Sequence, residues 1–327
     1  MSMGEESVSE ERPEISVVIP IYNEEETLEA LFDRLRSVMH GLGKSYEVLF
    51  VNDGSRDRSE EILASIHERE PSMKVIHFSR NFGHQMAITC GLDLAAGKAV
   101  IAMDGDLQDP PEVLPDLIAR WQEGYEVVYA VRKERKESAL KRFAYKSFYW
   151  ILNRVSYLDI PLDSGDFSLI DRRVLDVLVA MPERNRFVRG LRTWIGFRQT
   201  AFEYERAARF AGTSKYSLGK LMALAFDGLV SYSYVPLRLV SNVGLLVSLS
   251  ALGYMGYLLA DRFLGTGTIE GWTSTVVIML FLGGVQLLSL GVIGEYIGRI
   301  FDEVKKRPHY VVREVQGEVR LPAATGS

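Results

Sequence analysis

Cysteine is almost absent from this sequence: Cys90 stands alone among 327 residues. An internal disulfide and a Cys-rich zinc site are therefore both excluded. Histidine is scarce too, with five scattered residues, and none forms the HExxH pair of a zinc-binding helix. No GxGxxG or GxxxxGK[ST] stretch follows a predicted strand, which removes support from dinucleotide and P-loop readings. An excess of basic charge is missing as well. The net charge is −5, from 38 Lys and Arg against 43 Asp and Glu. A general nucleic-acid binder is normally basic, so no nucleic-acid partner is expected. The first 14 residues hold five glutamates, one arginine and almost nothing apolar. They read as a disordered acidic tail, whereas a signal peptide opens with positive charge and an apolar run.

What the chain does have is apolar material, 47% of its residues, enough for a core and about two structural units. Near the C-terminus two stretches of 22 residues, Leu239–Ala260 and Thr273–Gly294, carry no charge. About 20 apolar residues span a bilayer core, so two transmembrane helices are expected; a pair of buried core helices is the alternative. Arg206, Arg209, Lys215, Lys220 and Arg238 precede the first run, and Arg299, Lys305, Lys306 and Arg307 follow the second. The loop between Asp261 and Trp272 has one arginine against two acids. The positive-inside rule then puts both ends in the cytoplasm and the loop outside. Glu295, Arg299, Glu303 and Arg307 fall at i,i+4 steps, which extends the second helix as a charged stem until Pro308 favours its end.

Upstream, strands and helices alternate. Ile15–Pro20, Tyr46–Asn52, Met73–Ser79, Lys98–Met103 and Tyr125–Val131 read as buried strands, with helices over Glu24–Met39 and from about Asp57. Short Val/Ile-rich runs between helices imply an α/β fold with a parallel sheet covered on both faces. Ligands of such sheets bind beyond the carboxyl ends of the strands. Four polar clusters stand there: Tyr22-Asn23-Glu24, Asn52-Asp53-Gly54-Ser55, Arg80-Asn81-Phe82-Gly83 and Asp104-Gly105-Asp106.

The stretch from Asp104 to Pro111 carries the most chemistry. Two carboxylates one residue apart on a turn, Asp104 and Asp106, suit Mg²⁺ or Mn²⁺, which take oxygen ligands and share them with substrate phosphates. Gln108 adds a neutral oxygen. The same stretch also reads as a helix start, with Asp109 as N-cap and Pro110 at N1. Asp53, in Asn-Asp-Gly-Ser, has a plain alternative as a turn residue.

These residues carry a resemblance. Ile19–Glu24, Val51–Ser55 and Asp104–Pro111 resemble the signatures of glycosyltransferase family 2, whose catalytic domain has the GT-A fold, a Rossmann-like, mostly parallel sheet. Ser79–Gly83, Ser164-Gly165-Asp166-Phe167, Gly212–Tyr216 and Leu290–Arg299 are similar to the polyprenyl-phosphate glycosyltransferase group within it. The motifs run from residue 15 to about 310. The resemblance implies a GT-A domain over 15–233, two transmembrane helices over 234–300 and a cytoplasmic tail over 301–327. Within the first, Leu140, Phe143, Phe148, Ile151 and Leu152 follow a helical period, with Lys141, Arg142 and Lys146 between them. They read as an interfacial helix near 139–153, with a core-packed helix as its alternative, and the apolar stretch near 217–232 reads as a second. The stretch near 217–232 has packing between protomers of a homo-oligomer as its alternative.

It also implies inverting transfer of a sugar from a nucleotide sugar, UDP-glucose favoured, to polyprenyl phosphate at the cytoplasmic membrane. Asp106 and Asp166 are then catalytic, with Asp166 open between general base, sugar ligand and local cap. Pro20, Tyr22, Glu24, Asp53, Asn81 and Asp104 would hold the nucleotide sugar, and Asp104, Asp106 and Gln108 a divalent Mg or Mn. The acceptor phosphate falls to Arg132, Arg135, Arg206, Arg209 and Lys215, because cationic forks suit phosphate oxygens. Anionic lipid headgroups compete for the last three. Two rival readings are a processive polysaccharide synthase and an inactive two-helix membrane scaffold. The first is marked by Gln-x-x-Arg-Trp; here Arg192-Thr193-Trp194 is its nearest approach and the glutamine is absent.

Overall fold

The structure, a computed structural model, describes residues 12–132, 164–184, 186–205, 235–264 and 271–319. The expected interfacial helices near 139–153 and 217–232 lie outside these residues. So do Arg135, Arg206, Arg209, Lys215 and tail residues 1–11. The described residues up to 205 and from 307 onward belong to one compact unit, and the two long helices to a second.

Four apolar runs build the centre of the first unit. Strands β1 (Ile15–Ile21), β2 (Tyr46–Asn52), β3 (Met73–Phe78) and β4 (Ala99–Ala102) pair in parallel in the order β4-β1-β2-β3. Helices α1 (Leu28–Gly41), α2 (Ser59–Arg69) and α3 (His84–Leu94) connect them. Successive strand side chains point to opposite faces, and both faces are covered. Val17, Ile19, Ile21 and Phe50 pack with Leu31 and Leu35 of α1 and Leu63 of α2. Val18, Leu49 and Val51 pack with Ala87, Ile88 and Leu92 of α3. Burial on both faces explains why these strands read as continuous apolar runs without alternation.

The sheet is mixed and mostly parallel, as the GT-A resemblance implies. Its eight strands run β7-β5-β6-β4-β1-β2-β3-β8, adding β5 (Val127–Arg132), β6 (Ser164–Asp171), β7 (Gln199–Tyr204) and β8 (Val312–Gln316). β6 lies antiparallel between β4 and β5, β7 lies parallel beside β5, and β8 lies antiparallel on β3. The last three strands escape the sequence pattern. β6 opens on Ser-Gly-Asp, a turn-like composition, and β8 reads Val-Arg-Glu-Val-Gln, with the charge common on a sheet edge. Within the expected tail over 301–327, residues 312–316 join this sheet as β8.

The helix starts move as well. Residues 24–27 form a turn ahead of α1, with the Thr27 N–H donating to the Glu24 carbonyl at 3.0 Å. After β4 a 3-10 turn, Pro111–Val113, leads into α4 (Leu114–Gln122), and Pro110 stands at the cap with no side-chain bond. The N-cap expected of Asp109 is not formed, because that carboxylate is buried and accepts the Tyr204 hydroxyl instead. Helices α5 (Arg172–Ala180) and α6 (Val188–Ile195) follow β6.

The second unit holds α7 (Val235–Leu264) and α8 (Trp272–Lys305), of 30 and 34 residues. At 1.5 Å per residue they are about 45 and 51 Å long, against a hydrocarbon core of about 30 Å. Within them Leu237–Tyr257 and Val277–Lys305 are long and apolar enough to cross a membrane. Leu245, Leu249 and Leu287 stand exposed, which favours lipid over the alternative of buried core helices. The helix carries Glu295, Arg299 and Glu303 of the expected stem, with Arg299 donating to Glu295 at 3.1 Å, while Arg307 lies past its end. Lys306 at φ 46° caps it, two residues before Pro308.

Candidate active site

The polar clusters meet at one edge of the sheet. β1, β2, β3 and β4 are parallel, so the residues after each strand emerge side by side. β6 runs the other way, with Ala102 paired to Ser168. Its first residues, including Asp166, therefore reach the edge where the parallel strands end.

On one side the loops after β1 and β2 are tied together. The Asn23 N–H donates to Ser55 Oγ at 3.0 Å, and the Arg56 N–H donates to Asn23 Oδ1 at 2.8 Å. Asn23 takes φ 56°, a conformation asparagine tolerates better than most residues. This leaves the Tyr22 ring exposed. The Glu24 N–H bonds Ser59 Oγ at 3.0 Å, and its carboxylate accepts the Thr27 hydroxyl at 3.0 Å. Pro20 is a buried member of β1.

Asp53 anchors the next loop. Its two carboxylate oxygens accept the Phe82 and Gly83 N–H groups at 2.6 and 2.9 Å, and Asn81 Nδ2 donates to its backbone carbonyl at 3.2 Å. Burial raises the Asp53 carboxyl, more than those two bonds and nearby His84 and Arg80 lower it. Behind it the Ser55 N–H donates to Asn52 Oδ1 at 3.0 Å, so the Asn52 amide faces His77 Nδ1, 3.0 Å away, as a donor. The neutral His77 ring then carries its proton on Nε2, which is buried without a partner.

The carboxylates gather after β4. Asp104 lies 3.4 Å from His84 Nε2, and the same nitrogen is 3.6 Å from Asp166. Burial, and then the charges of Asp109, Asp166 and Asp106, push the Asp104 carboxyl up to about 6, with His84 opposing. Asp106 accepts the Gln108 N–H at 3.1 Å, and the Gln108 side chain is buried. Among the described residues no three His, Cys, Asp or Glu side chains close into a metal cage. A Mg²⁺ or Mn²⁺ site of one or two carboxylates completed by substrate phosphates does not need one, and crowded acids suit a dication. Gly105 keeps the turn close to β1, since a Cβ there would lie 2.6 Å from Ile21 Cδ1.

Asp166 is held by donors. Gln85 Nε2 bonds it at 2.8 Å and Arg189 Nε at 3.2 Å. Burial works to raise its carboxyl, but the nearby His84 ring and Arg189 outweigh that and hold it well below the usual range. In return His84 is raised: burial opposes, and nearby Asp166 and the Asp104 charge prevail. His84, Gln85 and Arg189 join the candidate site by these contacts, and none of them is a site candidate from the sequence alone. A signal existed in Arg189 and Arg192, which stand three residues apart and so share a face of α6. Arg192 is buried, its guanidinium 5.4 Å from the Tyr129 ring, with Nε and Nη1 unpartnered. Burial lowers its pKa to about 10, so it stays cationic at neutral pH. Arg132 is the last residue of β5, paired with Tyr204 of β7. The structure thus brings together the candidates around residues 20–24, 53, 81, 104–108 and 166. The proposed acceptor cations other than Arg132 lie outside the described residues.

Comparison with known proteins gives two family matches. Residues 16–179 match "Glycosyl transferase family 2" and residues 235–300 match "GtrB C-terminal hairpin". An uncharacterized glycosyltransferase of Bacillus subtilis (strain 168) is 50% identical over 92% of this chain and 94% of the relative. A prophage bactoprenol glucosyl transferase homolog of Escherichia coli (strain K12) is 40% identical over 92% of this chain and 99% of its own length. The bactoprenol glucosyl transferase of Shigella phage SfII is 41% identical over 92% and 97%.

Proposed function

The chain belongs to glycosyl transferase family 2, and from that premise we propose that it moves a sugar from a nucleotide diphosphate donor, UDP-glucose first among candidates, to polyprenyl phosphate. The observation that carries this reading is coverage. The likeness to bactoprenol glucosyl transferases takes in 92% of the chain, catalytic domain and hairpin alike. A shared donor site alone would not reach into the hairpin.

In the proposed reaction an acceptor phosphate oxygen bonds to the anomeric carbon from the side opposite the diphosphate. The bond to the diphosphate oxygen breaks, and its electron pair leaves with the nucleoside diphosphate. Tyr22, Glu24, Asp53 and Asn81 would seat the nucleotide, with Pro20 shaping the end of β1. Asp104, Asp106 and Gln108 would hold a divalent cation, which when bound supplies positive charge to the leaving diphosphate. A phosphate monoester carries about −1.5 to −2 charges at pH 7 and is itself the nucleophile. A strong base is therefore not required. Asp166, kept ionised by its donors, suits a fixed acceptor for a sugar hydroxyl better than a proton carrier. Arg132, Arg135, Arg206, Arg209 and Lys215 would position the acceptor phosphate. We place the catalytic unit on the cytoplasmic side of the membrane, because positive charge flanks both spans.

The test is transfer by the full chain in detergent, with UDP-glucose, GDP-mannose and UDP-N-acetylglucosamine each offered to undecaprenyl and dolichyl phosphate. Glucosylation of undecaprenyl phosphate is expected, lost with EDTA and in Asp106→Asn. Sugar transfer that ignores both lipids would overturn the acceptor, and full activity in EDTA would overturn the metal.

A further inference from the structure

The segment after α8 lies beyond both matched family models, which end at residues 179 and 300. It nonetheless completes the catalytic sheet. Without β8, β3 would be an edge strand with unpaired backbone groups. The pairing runs from Val75↔Gln316 to Phe78↔Val312 and continues past the strand, where the Ser79 N–H donates to the Val311 carbonyl at 3.0 Å. That bond lands on the first residue of the loop that Asp53 anchors.

Tyr310 adds a second fastening. Its ring lies nearly parallel to Phe78, with centroids 5.3 Å apart and planes at 10°. Phe78 meets the edge of Phe82 at 5.6 Å and 87°. Phe82 is the residue whose N–H Asp53 binds at 2.6 Å. The Tyr310 hydroxyl donates to Asp93 near the end of α3, at 3.0 Å. The same helix begins with His84 and Gln85, which face Asp104 and Asp166. One side chain therefore touches both supports of the site, the 79–83 loop through Phe78 and Phe82, and α3 through Asp93.

We propose that residues 307–319 are a working part of the donor site, with Tyr310 a positioning residue that sets the 79–83 loop and α3 for the nucleotide. This rests on the reading that Asp53 and Asn81 seat that nucleotide. The segment returns directly from the second long helix, so the donor site is assembled only when the chain has passed through the hairpin and come back.

The experiment uses the full chain in detergent, with UDP and GDP as calorimetric probes and donor and acceptor KM measured beside kcat. Tyr310→Leu should weaken nucleotide binding and raise donor KM roughly two- to tenfold, the size of an aromatic pair's coupling. Acceptor KM should stay put. Tyr310→Phe, which keeps the stacked ring, should restore most of the loss. A Tyr310→Leu protein that loses kcat only in proportion to its folded fraction, with donor KM unchanged, overturns the proposal. If Tyr310→Leu does not fold, Tyr310→His, with a smaller ring, enters the same comparison with the same two outcomes. Asn81→Ala separates the two ideas. If it leaves nucleotide binding intact while Tyr310→Leu weakens it, the seating assigned to Asn81 fails and the coupling stands.

Discussion

At the scale of single residues, buried polar groups do the organising. Asp53 has a carboxylate that both holds a loop and stands in the candidate nucleotide site, so its turn role and its proposed ligand role coexist. His77 works one layer deeper, where its Nδ1 accepts from Asn52, whose Oδ1 in turn accepts the Ser55 N–H. Burial lowers its pKa and Arg313 of β8 lowers it further, against Glu60 of α2 and Glu314 of β8. The folded state therefore keeps His77 neutral where the unfolded chain, with a pKa near 6.5, takes up a proton. Stability should fall as pH drops below about 6.5, by at most about 1.4 kcal/mol per pH unit from this one group. His77→Gln removes the proton and can still meet Asn52. Its melting temperature should fall less than the wild type's between pH 7.5 and pH 5.5; equal falls would discard the assignment.

At the scale of elements, the site depends on loops packed to backbone contact. Gly54, between β2 and α2, takes φ 67°, and a Cβ there would lie 2.7 Å from the Arg80 carbonyl carbon and 2.8 Å from the Asn81 nitrogen. Neither neighbour is a flexible side-chain tip. Gly54→Ala should cost about 2 kcal/mol or more from the left-handed backbone and the contact together. For a domain of this size that is a drop of about 4–8 °C in melting temperature, with weaker nucleotide binding because the 80–83 loop is displaced. A variant that melts and binds as wild type would mean that the two loops do not pack as described. The alternation of β4 with an antiparallel β6 belongs to the same scale, because that reversal carries Asp166 to the edge occupied by Asp104.

At the scale of the whole molecule, connectivity bears on topology. β7 ends at Tyr204, the chain runs through α7 and α8, and β8 returns to the same sheet. A chain that leaves a folded unit and rejoins it must cross a membrane an even number of times. Single cysteines at Thr266, between the two helices, and at Glu318, exposed after β8, should react with an impermeant thiol reagent from opposite sides. Cys90 is buried and stays silent. Labelling of both positions from outside intact cells would end the two-span reading.

The sequence by itself determined the elements whose physics is local. β1 to β5 show as apolar runs because both faces of the central sheet are covered, and α7 and α8 show because their uncharged runs are long enough to cross a bilayer core. Asp104, Asp106 and Asp53 were legible because strand ends are where such sheets place chemistry. Only the tertiary structure decided which groups answer them. His84, Gln85 and Arg189 come to Asp104 and Asp166 from α3 and α6, segments distant in the chain with no spacing that ties them to a carboxylate. β8 was invisible for a related reason: a polar edge strand gains its stability from a partner, here β3, and so carries no apolar signature of its own.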